Sequence, residues 1–469
     1  MKVSTINIKN VRSARLRTDA SYHLSEGQIV QKDIVSSPYP LMQIKDVSND
    51  IFIGNRAKRI YVSSIEHGIP FLSSSDILKG DLEHVKLASK KYTPEIDRML
   101  LQKGWTLISR SGTIGNCAFA NAKHAQKLAS EDVIRLVPNN ILRGGLVYAY
   151  LASKYGHSLL TQGTFGAVIQ HIEPDFVGSL PIPHFPESFQ KEVDDLMQEA
   201  SRLREEATDE LNEAEKVLKN AAKLRALIPE DYDYYGLNNS GRKVSCFIRK
   251  RKDIDTTTIN AFNHSERIRN TKASITCPTV PLKEVLIGGE TFSTGSFPRI
   301  EVKEGCGIML INQKDIFDTI VKGKYISKRN VRTNNLVEYG EVLIAGVGTL
   351  GENETFCRAI YANEDLVGQL VSGEFIRMKT NGKVPSGYLY AWLASDYGFR
   401  MLRNLQAGTK LCRPIPRLVL EIPVPIVEKE TMEEIDKMVK DAYTKRYRAN
   451  CNERKAISLV EQEIESWNK

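Results

Sequence analysis

The sequence predicts an α+β chain: two homologous mixed α/β domains separated by two long antiparallel α-helices, which pair as a coiled coil about an approximate two-fold axis. Three observations predict it. The chain is written twice, each copy ends in a proline-rich exit, and each exit leads into an apolar stripe too long for a small domain to absorb. At 469 residues the chain exceeds what one hydrophobic core supports. Hydrophobic residues at 41% and charged residues at 26% exclude collagen-like, low-complexity and wholly disordered chains.

The repeat sets the architecture. Gly104-Trp105-Thr106-Leu107-Ile108-Ser109-Arg110-Ser111-Gly112-Thr113-Ile114-Gly115 is answered by Gly340-Glu341-Val342-Leu343-Ile344-Ala345-Gly346-Val347-Gly348-Thr349-Leu350-Gly351. Leu151-Ala152-Ser153-Lys154-Tyr155-Gly156 returns as Leu393-Ala394-Ser395-Asp396-Tyr397-Gly398. Pro40-Leu41, Arg59-Ile60-x-Val62 and Asp76-Ile77 return as Pro281-Leu282, Arg299-Ile300-x-Val302 and Asp315-Ile316, in the same order and roughly 240 residues on. The sequence therefore divides into a first domain over 1–186, a long helix over 187–228, a linker over 229–241, a second domain over 242–427 and a second long helix over 428–467.

Within each half, short strands and turns give way to a short helix and then to an exit, Pro181-x-Pro183 or Pro423-x-Pro425, where proline forces extended backbone. After the first exit Phe189, Val193, Leu196, Ala200, Leu203, Ala207, Ala214, Val217, Ala221, Leu224 and Ile228 recur at three- and four-residue steps, interrupted by Glu210. The second stripe is Met432, Ile435, Met438, Ala442, Ala449, Ala456, Leu459 and Ile464, interrupted by Lys445 and Asn452. A helix of this length is about 60 Å long, and burying one seam against the other is the simplest use of both. The stretch from Asp231 to Gly241 lacks any apolar period and reads as linker.

Lys+Arg 65 against Asp+Glu 57 leaves a net charge of +8. The helices are rich in acid, so the basic excess belongs to the globular parts, which suits a polyanionic partner. The opening residues lack a secretory pattern and no apolar run is long enough to span a bilayer, so a cytoplasmic location with no membrane partner is expected. Seven scattered cysteines show no metal-ligand spacing and read as free thiols.

Gly346-x-Gly348-x-x-Gly351 has the spacing of a dinucleotide or S-adenosylmethionine loop, but its repeat equivalent starts with Arg110, and turn and strand residues follow where a helix would be needed. The glycines are expected instead to serve a tight hairpin with positive φ. His23 and His264 occupy equivalent positions without a catalytic partner and read as structural. No nucleotide-binding, metalloprotease, hydrolase or amino-methyltransferase signature occurs, so the expectation is binding without catalysis, with no metal and no cofactor of its own. The candidate DNA-binding residues are Arg110, Ser111, Thr113, Gln162 and Thr164 in the first half, and Lys324, Lys328, Arg329 and Lys410 in the second. They lie beside turn glycines and combine cations and amides, which reach base edges, with hydroxyls, which hold phosphates. Arg249-Lys250-Arg251-Lys252 reads as a solvated tether or phosphate clamp.

Taken together, the Ile108–Gly115 block, the Pro181-x-Pro183 exit before a Glu- and Lys-rich helix, the Arg17-x-Asp19-Ala20-x-Tyr22 start and the duplication resemble the specificity (S) subunits of type I restriction-modification systems. The resemblance covers nearly the whole chain; the second half departs from it at Asn260, Gly346 and Val347. It implies two target-recognition domains that read a bipartite, asymmetric site in double-stranded DNA, and helices that set the unread gap. It also implies docking of two methyltransferase (M) subunits, which carry S-adenosylmethionine and methylate adenine, and an ATP-using restriction (R) subunit that joins some complexes. A specificity subunit of a type IIB or other methyltransferase-based phage-defence system, a coiled-coil protein adaptor, and an autonomous methyltransferase or nuclease are the alternatives. Gene neighbours encoding a methyltransferase and a helicase-nuclease separate them.

Overall fold

The computed structural model describes all residues except 1–4, 14–17, 19–22, 24, 56–57, 163, 165–170, 229–230, 232–246, 255–256 and 468–469. Most of the predicted linker, the Arg17–Tyr22 motif and Cys246 therefore lie outside the described residues. The chain forms two compact units, one of Met1–Glu205 with Arg448–Lys469 and the other of Glu206–Tyr447.

Among its described residues the first unit holds two four-stranded sheets and a two-stranded pair. In one sheet β2 (Ser48–Ile53), β9 (Val133–Pro138), β6 (Thr106–Ser109) and β7 (Cys117–Phe119) lie in that order; in the other β3 (Tyr61–Val62), β5 (Lys86–Ser89), β4 (Gly68–Leu72) and β8 (Leu128–Ala129) do. Strand β6 is buried along its whole length, because it lies between two neighbours and is covered on both faces, so its sequence shows no alternation. The exit is β10 (Pro181–Pro183), antiparallel to β1 (Leu41–Gln43) in a two-stranded ladder that tolerates the missing proline donors.

Helix Gly144–Ala152 is apolar on every side, and residues 145–151 are all buried. The repeated Leu-Ala-Ser-x-Tyr-Gly motif turns the chain from it into helix Lys154–Gln162. Ser153 Oγ donates to Tyr150 O at 2.6 Å and accepts from Gly156 N at 3.2 Å; a Cβ on Gly156 would sit 2.1 Å from Tyr150 O. The second unit repeats this corner, with Ser395 on Trp392 O at 2.6 Å and Gly398 N at 3.3 Å. Its helices there are Ser386–Ala394 and Asp396–Asn404.

In the second unit β14 (Val342–Ala345) lies between β15 (Ala359–Tyr361) and β17 (Phe375–Met378), β12 (Ile308–Ile311) lies between β13 (Lys324–Ile326) and β16 (Leu370–Val371), β11 (Thr279–Pro281) pairs with β20 (Pro423–Pro425), and β18 (Gln406–Ala407) pairs with β19 (Arg413–Pro414). These are the neighbours that β6, β4 and β1 have in the first unit. The place of β2 is taken by isolated bridges, Leu286 to Thr380 and Phe292 to Arg377, and that of β3 by the bridge of Glu301 to Ile326.

The first long helix runs Glu187–Ala221 and the second Lys429–Ser466. Each crosses the boundary between the units. In the first unit Val193 and Met197 share a core with Ala456, Val460 and Ile464, and Ala200 and Leu203 meet Ala449, so the helices run antiparallel there. In the second unit Ala214 and Leu218 enter the core with Met432, Ile435, Val439 and Tyr443. The buried line differs by one position from the expected seam in places: Met197, Leu218, Val439 and Val460 are buried, while Leu196, Val217, Met438 and Leu459 pack at the margin. A straight helix repeats every 3.6 residues and drifts from a 3.5-residue seam. The predicted interruptions Glu210 and Lys445 are ion-paired with one another. The first apolar stripe reaches Ile228, but the helix stops at Ala221. Lys223 takes a left-handed conformation (φ 51°) and Leu224 N donates to Lys219 O at 2.9 Å, the bonding of a Schellman stop.

One joint between helix and globular part occurs in both units. Asp194 Oδ1 accepts from Gly145 N at 2.8 Å, and Asp436 Oδ1 from Gly387 N at 2.7 Å. A buried carboxylate thus satisfies an orphan N–H at the start of a neighbouring helix. A Cβ on either glycine would come within 2.8 Å of that oxygen.

Candidate nucleic-acid interface

In the first unit the Ser109–Gly115 turn closes β6 onto β7. Ser109 Oγ lies 2.9 Å from Thr113 Oγ1, Gly115 N donates to Ser109 O at 3.0 Å, and Gly112 and Gly115 take φ of 75° and 80°. The positive φ expected of Gly346, Gly348 and Gly351 is found here, at Gly112 and Gly115. Ser111 is half-buried; Gly112 and Thr113 at the tip are exposed. Arg110 points inward: it is 6% exposed, its Nε donates to Ile172 O at 3.1 Å, and Nη2 pairs with Glu173. Gln162 is also 6% exposed, packed where a Cβ on Gly27 would lie 2.8 Å from its own Cβ, and Thr164 is half-buried with its N–H on Thr161 O. The structure thus gathers Arg110, Ser111 and Thr113 in one turn, and Gly115 of that turn packs against Thr161 in the helix that ends at Gln162. Only Thr113 is fully presented to solvent.

In the second unit the equivalent loop departs from expectation. Gly346, Gly348 and Gly351 are not among the positive-φ glycines; each is needed for close approach instead. A Cβ would lie 2.5 Å from Glu374 O at Gly346, 2.9 Å from Phe356 Cβ at Gly348 and 2.9 Å from Glu354 Cγ at Gly351. Gln313 fastens the loop by a two-point amide contact: Val347 N donates to its Oε1 at 3.0 Å, and its Nε2 donates to Val347 O. On the other side Gly348 and Cys412 exchange both backbone hydrogen bonds, at 3.2 and 2.7 Å. That contact brings the loop beside the β18–β19 hairpin, whose exposed tip carries Lys410 and Leu411. Lys324, on β13, is exposed and paired with Glu301 at 2.6 Å. Lys328 and Arg329 follow on a short 3-10 turn, exposed, with Ser327 Oγ accepting from Arg329 N. These three form one basic segment; Lys410 belongs to the hairpin.

A repeat-matched pair of buried arginines escaped the sequence reading. Arg135 pairs across the ladder with Phe52 and lies over its ring at 5.8 Å; Arg377 bridges to Phe292 and lies over that ring at 4.7 Å. Both are 0% exposed. Arg135 donates to the carbonyls of Ser130 and Val133 at 2.9 and 2.7 Å and to that of Ala129, and burial brings its pKa down to about 10. Arg377 instead meets Glu341, at 2.8 and 2.9 Å, together with the carbonyls of Asn335 and Leu336. The signal was present as Ile134-Arg135 and Ile376-Arg377 at the repeat spacing. Arg135 thereby ties β9 to the 129–133 segment, and Arg377 ties β17 to Glu341 and the 335–336 segment.

Among the described residues no group of His, Cys, Asp and Glu could hold a metal ion, and no helix is long and apolar enough to cross a membrane. His264 Nε2 lies 2.8 Å from Thr258 O.

No protein-family model matches this sequence, and no curated protein does. Among solved structures, the chain is similar to the type I restriction-modification system S subunit from M. genitalium, at 12% identity and a TM-score of 0.36, over 92% of this chain and 96% of that one. It is similar to the HsdS subunit from Thermoanaerobacter tengcongensis at 11% identity and 0.28, over 92% and 96%. A third similar chain, from a structure concerning complex assembly and conformational transition of the type I R-M system, has 13% identity and 0.29, over 91% and 98%.

Proposed function

We propose that this protein is the non-catalytic specificity subunit of a type I restriction-modification complex. Each globular region, 1–186 and 242–427, reads one part of a bipartite DNA site; the helices over 187–228 and 428–467 fix the unread gap and dock two M subunits, which methylate adenine. The observation that carries this reading is the recurrence of one strand order in two units that share both long helices. One scaffold repeated suits two copies of one partner, and two diverged loop sets, Arg110-Ser111 against Gly346-Val347, suit an asymmetric site. Exposed Thr113, Lys324, Lys328, Arg329 and Lys410 face DNA, with the half-buried Ser111 and Thr164 at the margin; the buried Arg110 and Gln162 hold the loops in shape.

The test is methylome sequencing of cells that express the chain with a methyltransferase encoded beside it. Methylated adenine in a single two-part motif is expected, and exchange of residues 1–180 for those of a relative should change one part only. Absence of new methylation, or change in both parts, overturns the reading.

A further inference from the structure

A six-residue pattern recurs on equivalent strands: Lys86-Leu87-Ala88-Ser89-Lys90-Lys91 and Lys324-Tyr325-Ile326-Ser327-Lys328-Arg329. The first cation of each is exposed, and Ala88 and Ile326 further along the strand are buried. Each strand is antiparallel to the equivalent neighbour, β5 to β4 and β13 to β12. Each is closed by the same bond to the Arg-Ile-x-Val segment, Ser89 N to Ile60 O at 2.8 Å and Ser327 N to Ile300 O at 2.9 Å.

The nearby loops have diverged, yet the cations at the first, fifth and sixth positions are kept, with Lys91 exchanged for Arg329. A ligand that asks for positive charge at fixed places, and not for one hydrogen-bonding pattern, is a row of phosphates. The surroundings leave that charge uncancelled in the first unit. Lys86 Nζ lies 5.5 Å from the ring centre of Tyr61 and Lys91 Nζ 5.4 Å from that of Tyr92, while Lys90 donates to the carbonyls of Ile65 and Glu66 at 3.3 and 2.9 Å. No carboxylate is paired with the three among the described residues. In the second unit Glu301 stands where Tyr61 does and neutralises Lys324, leaving Lys328 and Arg329.

We propose that these two segments are the phosphate-contacting elements of the molecule, gripping the duplex backbone without regard to sequence, with three effective cations in the first unit and two in the second. The inference rests on the DNA-reading function above. Its test is equilibrium binding of the full chain, assembled with its M subunits, to a duplex carrying the methylated motif and to a scrambled duplex, across a salt series. Lys86→Gln/Lys90→Gln/Lys91→Gln should weaken both duplexes by the same factor and flatten the slope of log K against log salt by about three; Lys328→Gln/Arg329→Gln should flatten it by about two. Arginine at 86, 90 and 91 should keep the slope, and the methylated motif should not change in any variant. An unchanged slope, or an altered motif, overturns the proposal. If the unsubstituted complex binds neither duplex, the specificity-subunit reading itself falls.

Discussion

At Arg377 and Glu341 the second unit buries a complete ion pair, whereas the first buries Arg135 against carbonyl oxygens alone, with Trp105 in the place of Glu341. Arg377 has its donors met by the carboxylate and two carbonyls, whereas Arg135 has Nη1 and Nη2 met by three carbonyls and leaves Nε without a hydrogen-bond partner among the described residues. A further buried ionisable group, His124, gives a pH signature. His124 bonds Asn121 Oδ1 at 2.9 Å and Ile77 O at 3.3 Å, and burial lowers its pKa from 6.5 to about 4. The unfolded chain takes up this proton below pH 6.5, but the folded chain only below about 4. The histidine's contribution is therefore full above pH 6.5 and shrinks as pH falls from 6.5 to 4, by about 3 kcal/mol in all. Urea midpoints at pH 7 and 4.5 should separate less for His124→Gln than for the unsubstituted chain; equal separation would remove the role.

Among the elements, the first long helix ends where a lysine adopts the conformation that glycine prefers. Lys223→Gly should raise stability by about 0.5–1 kcal/mol, read as a higher denaturation midpoint, because the left-handed position costs glycine no Cβ strain. Much at this scale was legible beforehand. The duplication, the extended proline exits and both long helices follow from periodicity and proline chemistry, which act locally. The inward turn of Arg110 did not, because its partner Glu173 is remote in sequence and only the fold brings them together. Nor did the joints at Asp194 and Asp436, where an acidic residue among many on a helix surface carries no local mark of its contact. The glycines of Gly346–Gly351 misled for a related reason: spacing reveals that side chains are absent, not whether φ or a neighbour demands it.

For the whole molecule, the division into units does not follow chain order. The first unit draws Ala456, Val460 and Ile464 into its core, and buried Glu453 meets Arg204 at 2.6 Å and Tyr148 at 2.5 Å. Removing residues 448–469 should therefore unfold the first unit and spare the second. Hydrogen exchange should show protection lost over β6 and β9 and kept over β14 and β17; loss in both alike would contradict this.

That arrangement also sets an order of birth. The second unit is one continuous stretch, Glu206–Tyr447, and has all its core residues once Tyr447 has left the ribosome. The first unit, though translated earlier, waits for the final turns of the second long helix. The face of its core that Ala456, Val460 and Ile464 cover stays bare until they are made, an exposure of apolar surface during synthesis that the second unit avoids.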